Sequence, residues 1–137
     1  MPDLTLAICV YNAEKYIAET LQSVIAQTMQ NFHLLVVDDC SSDGSVAAIE
    51  TFFQERPRQY ELVTLNENKG IGHARHFAER HAQTQYMMFL DADDILYPTA
   101  IERMYSKITG DKDLIAVGCY LEYSLIFIAY HSTIFKQ

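Results

Sequence analysis

The chain has 137 residues, half of them hydrophobic, which suits a single domain with a real core and disfavours disorder. Its 18 acidic and 10 basic residues give a formal net charge of −8. This charge argues against sequence-independent nucleic-acid binding, which requires a basic surface. An acidic site that recruits a metal ion or a cationic partner fits the composition better.

The three cysteines, Cys9, Cys40 and Cys119, form an odd set without CxxC spacing. Cys9 and Cys119 lie in apolar runs that resemble strands. Reduced, structural thiols in a cytosolic compartment are therefore predicted, and zinc is not suggested.

The two ends of the chain bear on targeting and membrane insertion. The first residues, MPDLTLAICVYN, lack a basic segment and carry Asp3, so no signal peptide is predicted. The apolar tract 114–135 is long enough for a membrane-spanning segment. Glu122 and His131 oppose a span, and the Tyr, Val and Ile content favours strands. A cytoplasmic location is therefore predicted.

Two strand and helix units are predicted first along the chain. The apolar run 4–12 is typical of a strand, and the helix after it is predicted to use Asn12 as its N-cap. The run 32–39 is a second strand of the buried type. The turn CSSDGS then leads into a helix that ends before Pro57. The apolar positions at helical spacing are Ile17, Leu21, Val24 and Ile25 in the first helix and Val46, Ile49 and Phe53 in the second.

The pattern continues with two further units. A third strand, 60–68, precedes a helix at 73–82, and a fourth strand, 86–90, precedes a helix that Pro98 opens. Four such units in a row predict an α/β fold, with helices on both faces of a mostly parallel sheet in three α/β/α layers.

Polar residues are predicted at the carboxyl end of each strand. Ligands of parallel sheets bind in the crevice outside these ends. Residues far apart in the chain should therefore meet at one edge of the sheet. They are residues 11–12, 38–39, 66–68 and 91–94.

The stretch FLDADDILYP places Asp91, Asp93 and Asp94 directly after an apolar run. Two carboxylates about 4 Å apart repel by roughly 4 kcal/mol at an effective dielectric of 20, so three in one turn need water, a proton or a cation. Carboxylate oxygens, with no His or Cys at metal-ligand spacing, suit Mg²⁺ or Mn²⁺. These ions retain bound waters and are also coordinated by the phosphates of a substrate. For Asp38, Asp43 or Asp94 alone, helix capping or solvent exposure is an equal alternative. The pair Asp91 and Asp93 is the predicted metal site.

The stretch KGIGHAR follows the third strand and has Arg75 where a dinucleotide fingerprint requires its last glycine, so that interpretation is weak. As a flexible turn it allows close approach of a ligand, and Lys69, His73 or Arg75 can supply positive charge. Arg75 is favoured because it lies one turn inside the helix. Tyr11 at a strand end could stack on a base, although packing is the commoner role of a tyrosine.

Four blocks of the chain carry a family resemblance: ICVYNAEKYIAETLQSVIAQT, FHLLVVDDCSSDGS, NENKGIGHAR and YMMFLDADDILYP. In this order and spacing the chain resembles the inverting family 2 glycosyltransferases of GT-A fold. The resemblance covers about residues 4–108 and implies a Rossmann-like sheet.

The resemblance implies transfer of a sugar from a nucleotide donor, usually a UDP-sugar with Mn²⁺ or Mg²⁺, to an acceptor hydroxyl with inversion. Synthesis of a cell-surface polysaccharide or glycolipid, at the inner face of the membrane, is the implied setting. By motif position, Tyr11 and Asp39 resemble contacts to the base, with Asp38 as a supporting neighbour. Arg75 resembles a donor-site cation, Asp91 a contact to the ribose or the metal shell, and Asp93 the direct metal ligand.

The general base of the family has no counterpart that we can identify in this chain. The only acids beyond residue 108, where the resemblance ends, are Asp111, Asp113 and Glu122, and none lies in a recognised context. The chain is therefore interpreted as truncated. Residues 1–110 are predicted to bind the donor, and 111–137 to form strands that begin an acceptor-side half, with an open edge that could pair with a second copy.

Three alternatives remain at this point. A module that binds nucleotide sugars without catalysis would need no general base. A phospho-receiver domain expects its acidic pair after the first strand and a lysine after the fifth, and a two-carboxylate phosphatase expects the DADD motif after the first strand. The sequence meets neither of these last two expectations.

Overall fold

Strands and helices alternate along the chain in the computed structural model, which describes residues 3–107, 114–117 and 127–131. The predicted order of four strand and helix units is confirmed. The elements are β1 (Leu4–Val10), α1 (Ile17–Ile25), β2 (His33–Asp38), α2 (Ser45–Glu55), β3 (Glu61–Thr64), α3 (Ile71–His81), β4 (Tyr86–Asp91), α4 (Ala100–Tyr105), β5 (Leu114–Val117) and β6 (Phe127–His131).

The strands form one sheet in the order β3-β2-β1-β4-β6-β5. The pairs β1/β2, β1/β4 and β2/β3 are parallel, whereas β6 runs antiparallel to both β4 and β5. Strands β2, β1 and β4 are therefore neighbours that end at the same edge. The predicted α/β fold with a mostly parallel sheet is confirmed.

The helices cover both faces of the sheet, because alternate residues of a strand point to opposite sides. Leu6 and Ile8 of β1 pack in a cluster with residues of α1, α2 and α4. Ala7 and Cys9 belong to a second cluster, which includes Ala74 and Ala78 of α3. Burial of both faces explains why β1, β2 and β4 read as continuous apolar runs. The three-layer arrangement is confirmed.

Two local predictions about the helices are wrong. Helix α1 begins at Ile17 after Tyr16, so Asn12 is not its N-cap. The backbone of Asn12 has a positive φ of 47°, and its side chain accepts a hydrogen bond from Ser42 in the next loop. Helix α4 is also shorter than predicted, because it begins after Thr99 rather than at Pro98.

The last two strands lie within the segment 111–137 and join the same sheet through β4. The division of the chain at residue 110 remains a prediction. In the part of the chain that the structure describes, no helix is long and apolar enough to cross a membrane. Asp111, Asp113, Cys119 and Glu122 lie outside the described residues.

Candidate functional site

The carboxyl ends of β1, β2 and β4 bring distant polar residues to one edge of the sheet. In the strand register, Val10 lies opposite Asp38, and Cys9 lies opposite Asp91. Tyr11 follows β1 directly, and its side chain is exposed. The predicted convergence of these chain segments is therefore found, while the role of each residue remains a prediction.

Asp39 connects three loops at this edge. It is buried, and its own N–H donates to Val10 O at 2.8 Å. Its carboxylate accepts the N–H of Lys69 at 3.2 Å and the N–H of Gly70 at 2.8 Å. Gly70 has φ 89° with open space around its Cα, so the backbone conformation, rather than crowding, favours glycine. Because carboxylate oxygens have several lone pairs, Asp39 retains capacity for a ligand N–H.

Asp38 lies at the end of β2 and is fully buried. One carboxylate oxygen accepts the N–H of Ser41 at 3.2 Å, and the other has no hydrogen-bond partner among the described residues. The side chain of Asp38 bonds to Ser41, whereas that of Asp39 bonds to Lys69 and Gly70, so the two carboxylates have different partners. The side-chain contact of Asp38 is with the turn that follows β2, and its supporting role remains a prediction.

Arg75 supplies positive charge to the acids, as predicted. Its Nη2 donates to Asp91 Oδ1 at 2.7 Å, and both side chains are about half exposed. The guanidinium carbon lies 5.8 Å from the centroid of the Phe89 ring. Lys69, which with His73 is one of the two alternative cations, instead forms an ion pair with Glu67.

The acidic turn after β4 concentrates negative charge. The N–H of Asp94 donates to Asp91 O at 3.1 Å, and Asp93 is exposed. Burial, with the neighbouring carboxylates of Asp91 and Asp93, raises the pKa of Asp94. The hydroxyl of Thr20 in α1 donates to Ala92 O at 2.9 Å and fixes the turn to the protein body. A cation bound here would relieve the mutual repulsion of the carboxylates.

The chemistry of these donors suits a hard divalent ion that brings other ligands with it. Across residues 3–107, 114–117 and 127–131, no group of three or more His, Cys, Asp or Glu side chains could hold an ion. Asp91 and Asp93 would thus provide only part of a coordination shell. Mg²⁺ and Mn²⁺ complete such shells with water and substrate phosphates.

Cys9 lies beneath this edge and was predicted only as a structural thiol. It is buried on the α3 side of the sheet. Burial raises the pKa of the Cys9 thiol to about 12; the charge of Arg75 opposes this rise, and the charges of Asp91 and Asp39 add to it. The thiol therefore stays protonated, which agrees with a packing role.

Comparisons with known proteins agree with this architecture. The sequence model described as "Glycosyl transferase family 2" matches residues 5–135. A teichoic acid poly(glycerol phosphate) polymerase of Staphylococcus epidermidis is 38% identical over 116 residues, which are 85% of this chain and 16% of the polymerase.

Two solved structures share the fold. The mannosyltransferase PcManGT from Pyrobaculum calidifontis, in complex with GDP-Man and Mn²⁺, matches 95% of this chain with a TM-score of 0.81 and 23% identity. S. aureus TarS 1-349, in complex with UDP-GlcNAc, matches 97% of it with a TM-score of 0.75 and 22% identity. The chain covers 44% and 46% of these two structures. It therefore spans less than half the length of each.

Proposed function

The chain belongs to glycosyl transferase family 2, and on this premise we propose that its carboxyl edge binds a nucleotide sugar together with a divalent ion. The observation that carries the proposal is the convergence of two kinds of residue. Tyr11 and Asp39, which suit a base, follow β1 and β2, and the acids that suit a metal lie at the end of β4 and in the turn after it. These three strands are neighbours, with β1 between the other two.

Uridine is the proposed nucleoside. A carboxylate only accepts hydrogen bonds, so Asp39 suits the N3–H of uracil and is mismatched with the N3 acceptor of cytosine. Tyr11 is 51% exposed, so its ring is available for stacking on a base. The fold does not choose between nucleotides, since TarS was solved with UDP-GlcNAc and PcManGT with GDP-Man. The choice of uridine over cytidine rests on Asp39.

The diphosphate is proposed to lie between Arg75 and the acidic turn. Asp93 would hold Mn²⁺ or Mg²⁺ directly, and Asp91 would contact the ribose or the metal shell through the oxygen that Arg75 leaves free. Such an ion, when bound, stabilises the negative charge that develops on a departing nucleoside diphosphate. Arg75 adds a fixed positive charge for the phosphates.

The proposed reaction is transfer of the sugar to an acceptor hydroxyl with inversion at the anomeric carbon. A setting in polysaccharide synthesis is supported by relatives named for teichoic acid and succinoglycan biosynthesis. The protein is proposed to act in the cytoplasm, near the membrane. Two copies are proposed to pair through the C-terminal strands. No residue is assigned as the general base.

The proposal is tested by calorimetric titration of the 137-residue chain with UDP in the presence of Mn²⁺, Mg²⁺ or EDTA. We expect saturable binding of UDP that EDTA abolishes. UDP-glucose or UDP-N-acetylglucosamine, titrated next, is expected to bind as well. Guanine also presents an N–H donor, so GDP is included. Absence of binding to all of these nucleotides would refute the proposed site. Release of UDP in the presence of acceptors separates an enzyme from a module that only binds.

A further inference from the structure

The two loops that carry the proposed base contacts have the same local design. Tyr11 is followed by Asn12, with φ 47°, and Asp39 is followed by Cys40, with φ 60°. Residues other than glycine rarely adopt positive φ. Each chain segment therefore turns sharply, directly after its proposed base contact, and the turn must be held by other interactions.

Asn12 holds the first turn against the second through three hydrogen bonds. Its backbone N–H donates to Ser41 Oγ at 2.9 Å. Its side-chain oxygen accepts the backbone N–H of Ser42 at 2.9 Å and lies 3.3 Å from the Ser42 hydroxyl, which can donate to it. We call Asn12, Ser41 and Ser42 the loop clamp. It joins the residue after Tyr11 to the residues that follow Asp39 and Cys40.

Further bonds fasten the same two loops on the far side of the clamp. The N–H of Ala13 donates to the buried Ser45 Oγ at 2.8 Å. The N–H of Glu14 donates to Asp43 Oδ2 at 3.1 Å, and Glu14 Oε2 accepts the N–H of Gly44 at 3.1 Å. The loops are thus one unit, and the clamp is the part of it next to the proposed base contacts.

We infer that Asn12 is a positioning residue for base recognition, which fixes the ring of Tyr11 relative to the carboxylate of Asp39. The inference rests on the proposed function. Asparagine suits this position because it tolerates positive φ and its amide oxygen accepts hydrogen bonds without adding charge beside Asp39. Glycine would keep the backbone conformation without the acceptor, and alanine would keep neither.

The test measures the affinities of UDP, CDP and inorganic pyrophosphate with Mn²⁺ for the wild type and for Asn12→Gly, Ser41→Ala and Ser106→Ala. Asn12→Gly separates the lost amide from backbone strain. Ser41→Ala removes the acceptor of the Asn12 N–H. Ser106→Ala is the control, because it removes one exposed hydrogen bond, to Arg103 O, at the end of α4.

Asn12→Gly is expected to weaken UDP binding about tenfold and to reduce the preference for UDP over CDP, since a misplaced contact loses its share of the binding energy. Ser41→Ala should shift both in the same direction. Pyrophosphate lacks a base, so its affinity for both variants should stay within about twofold of that for the wild type. This is expected because the substitutions affect only the part of the site that contacts the base. Ser106→Ala should match the wild type throughout.

The outcomes separate the two proposals. If the wild type does not bind UDP, the proposed uridine nucleotide site fails. If it does, an unchanged UDP to CDP ratio in Asn12→Gly and Ser41→Ala overturns the positioning role alone. Equal weakening of UDP, CDP and pyrophosphate overturns it as well, because that result indicates general loosening. Thermal unfolding shows which variants fold. If Asn12→Gly does not fold, the affinities of Ser41→Ala decide between the outcomes.

Discussion

Arg75 on α3 and Asp91 at the end of β4 form an ion pair, with Nη2 2.7 Å from Oδ1, at the edge where the proposed donor site lies. Both side chains are about half exposed, so solvent screens the pair, and such pairs contribute about 0.2–1 kcal/mol. The pair can therefore exchange partners at small cost. Arg75 could turn to a phosphate while Asp91 turns to a cation or a hydroxyl.

Arg75→Gln is predicted to change metal and nucleotide binding in opposite directions. Loss of the guanidinium leaves the acidic turn without its nearby positive charge, so Mn²⁺ alone should bind about twofold to fivefold more tightly, a small effect because solvent screens the site. UDP with Mn²⁺ should bind about tenfold more weakly, since the diphosphate loses a charged donor. Titration with Mn²⁺ alone, and then with UDP at saturating Mn²⁺, measures both effects.

Arg80→Gln is the matched control for this prediction. Arg80 lies on the same helix, in its last turn, and is exposed. It should change neither affinity. If Arg75→Gln lowers both affinities or leaves both unchanged, Arg75 and the metal ion do not compete for Asp91.

Asp93→Asn is predicted to abolish the Mn²⁺ dependence of UDP binding without loss of thermal stability. The exposed Asp93 adds to the repulsion that raises the pKa of Asp94, so removal of its charge should leave the melting temperature unchanged or higher. Calorimetry with and without Mn²⁺, together with thermal unfolding, measures both quantities. Equal UDP affinity for the variant and the wild type at saturating Mn²⁺ would remove Asp93 from the metal site.

Much of the fold could be predicted because β1, β2 and β4 are buried on both faces. Residues 4–10 and 34–38 are buried throughout, so these strands appear in the sequence as nearly continuous apolar runs. The helices between the strands show apolar residues at helical spacing. The meeting of Tyr11, Asp39 and Asp91 followed from the rule that parallel strands end at one edge.

The details of the loops could not be predicted in the same way. Asn12 has the side chain of a good N-cap, but whether it caps a helix depends on what lies beside it in space. Here Ser42, distant in sequence, takes that side chain, and the backbone adopts a positive φ.

Cys9 is predicted to be unreactive in the native protein although it lies beneath the proposed site. Its pKa is raised from 9.0 to about 12, so the folded state keeps the proton at pH values where the unfolded state loses it. Stability should therefore fall as the pH rises above 9 toward 12. In a Cys40→Ser, Cys119→Ser variant, alkylation at pH 9 should be on the order of 10² to 10³ slower in the native state than in urea. Similar rates in both states would contradict the burial of the thiol.

Asp39→Asn is predicted to reverse the choice between uracil and cytosine. The carboxylate of Asp39 suits the N3–H of uracil, whereas an amide NH₂ suits the N3 acceptor of cytosine. Because an unpaired buried polar group costs about 1–3 kcal/mol, the ratio of UDP to CDP affinity should fall by tenfold or more. The variant also weakens one of the bonds to Lys69 and Gly70, so its melting temperature should fall. Competition between UDP and CDP at saturating Mn²⁺ measures the ratio independently of the fraction folded. An unchanged ratio would place the base pocket elsewhere on the edge, because loss of stability alone does not alter a preference between two bases.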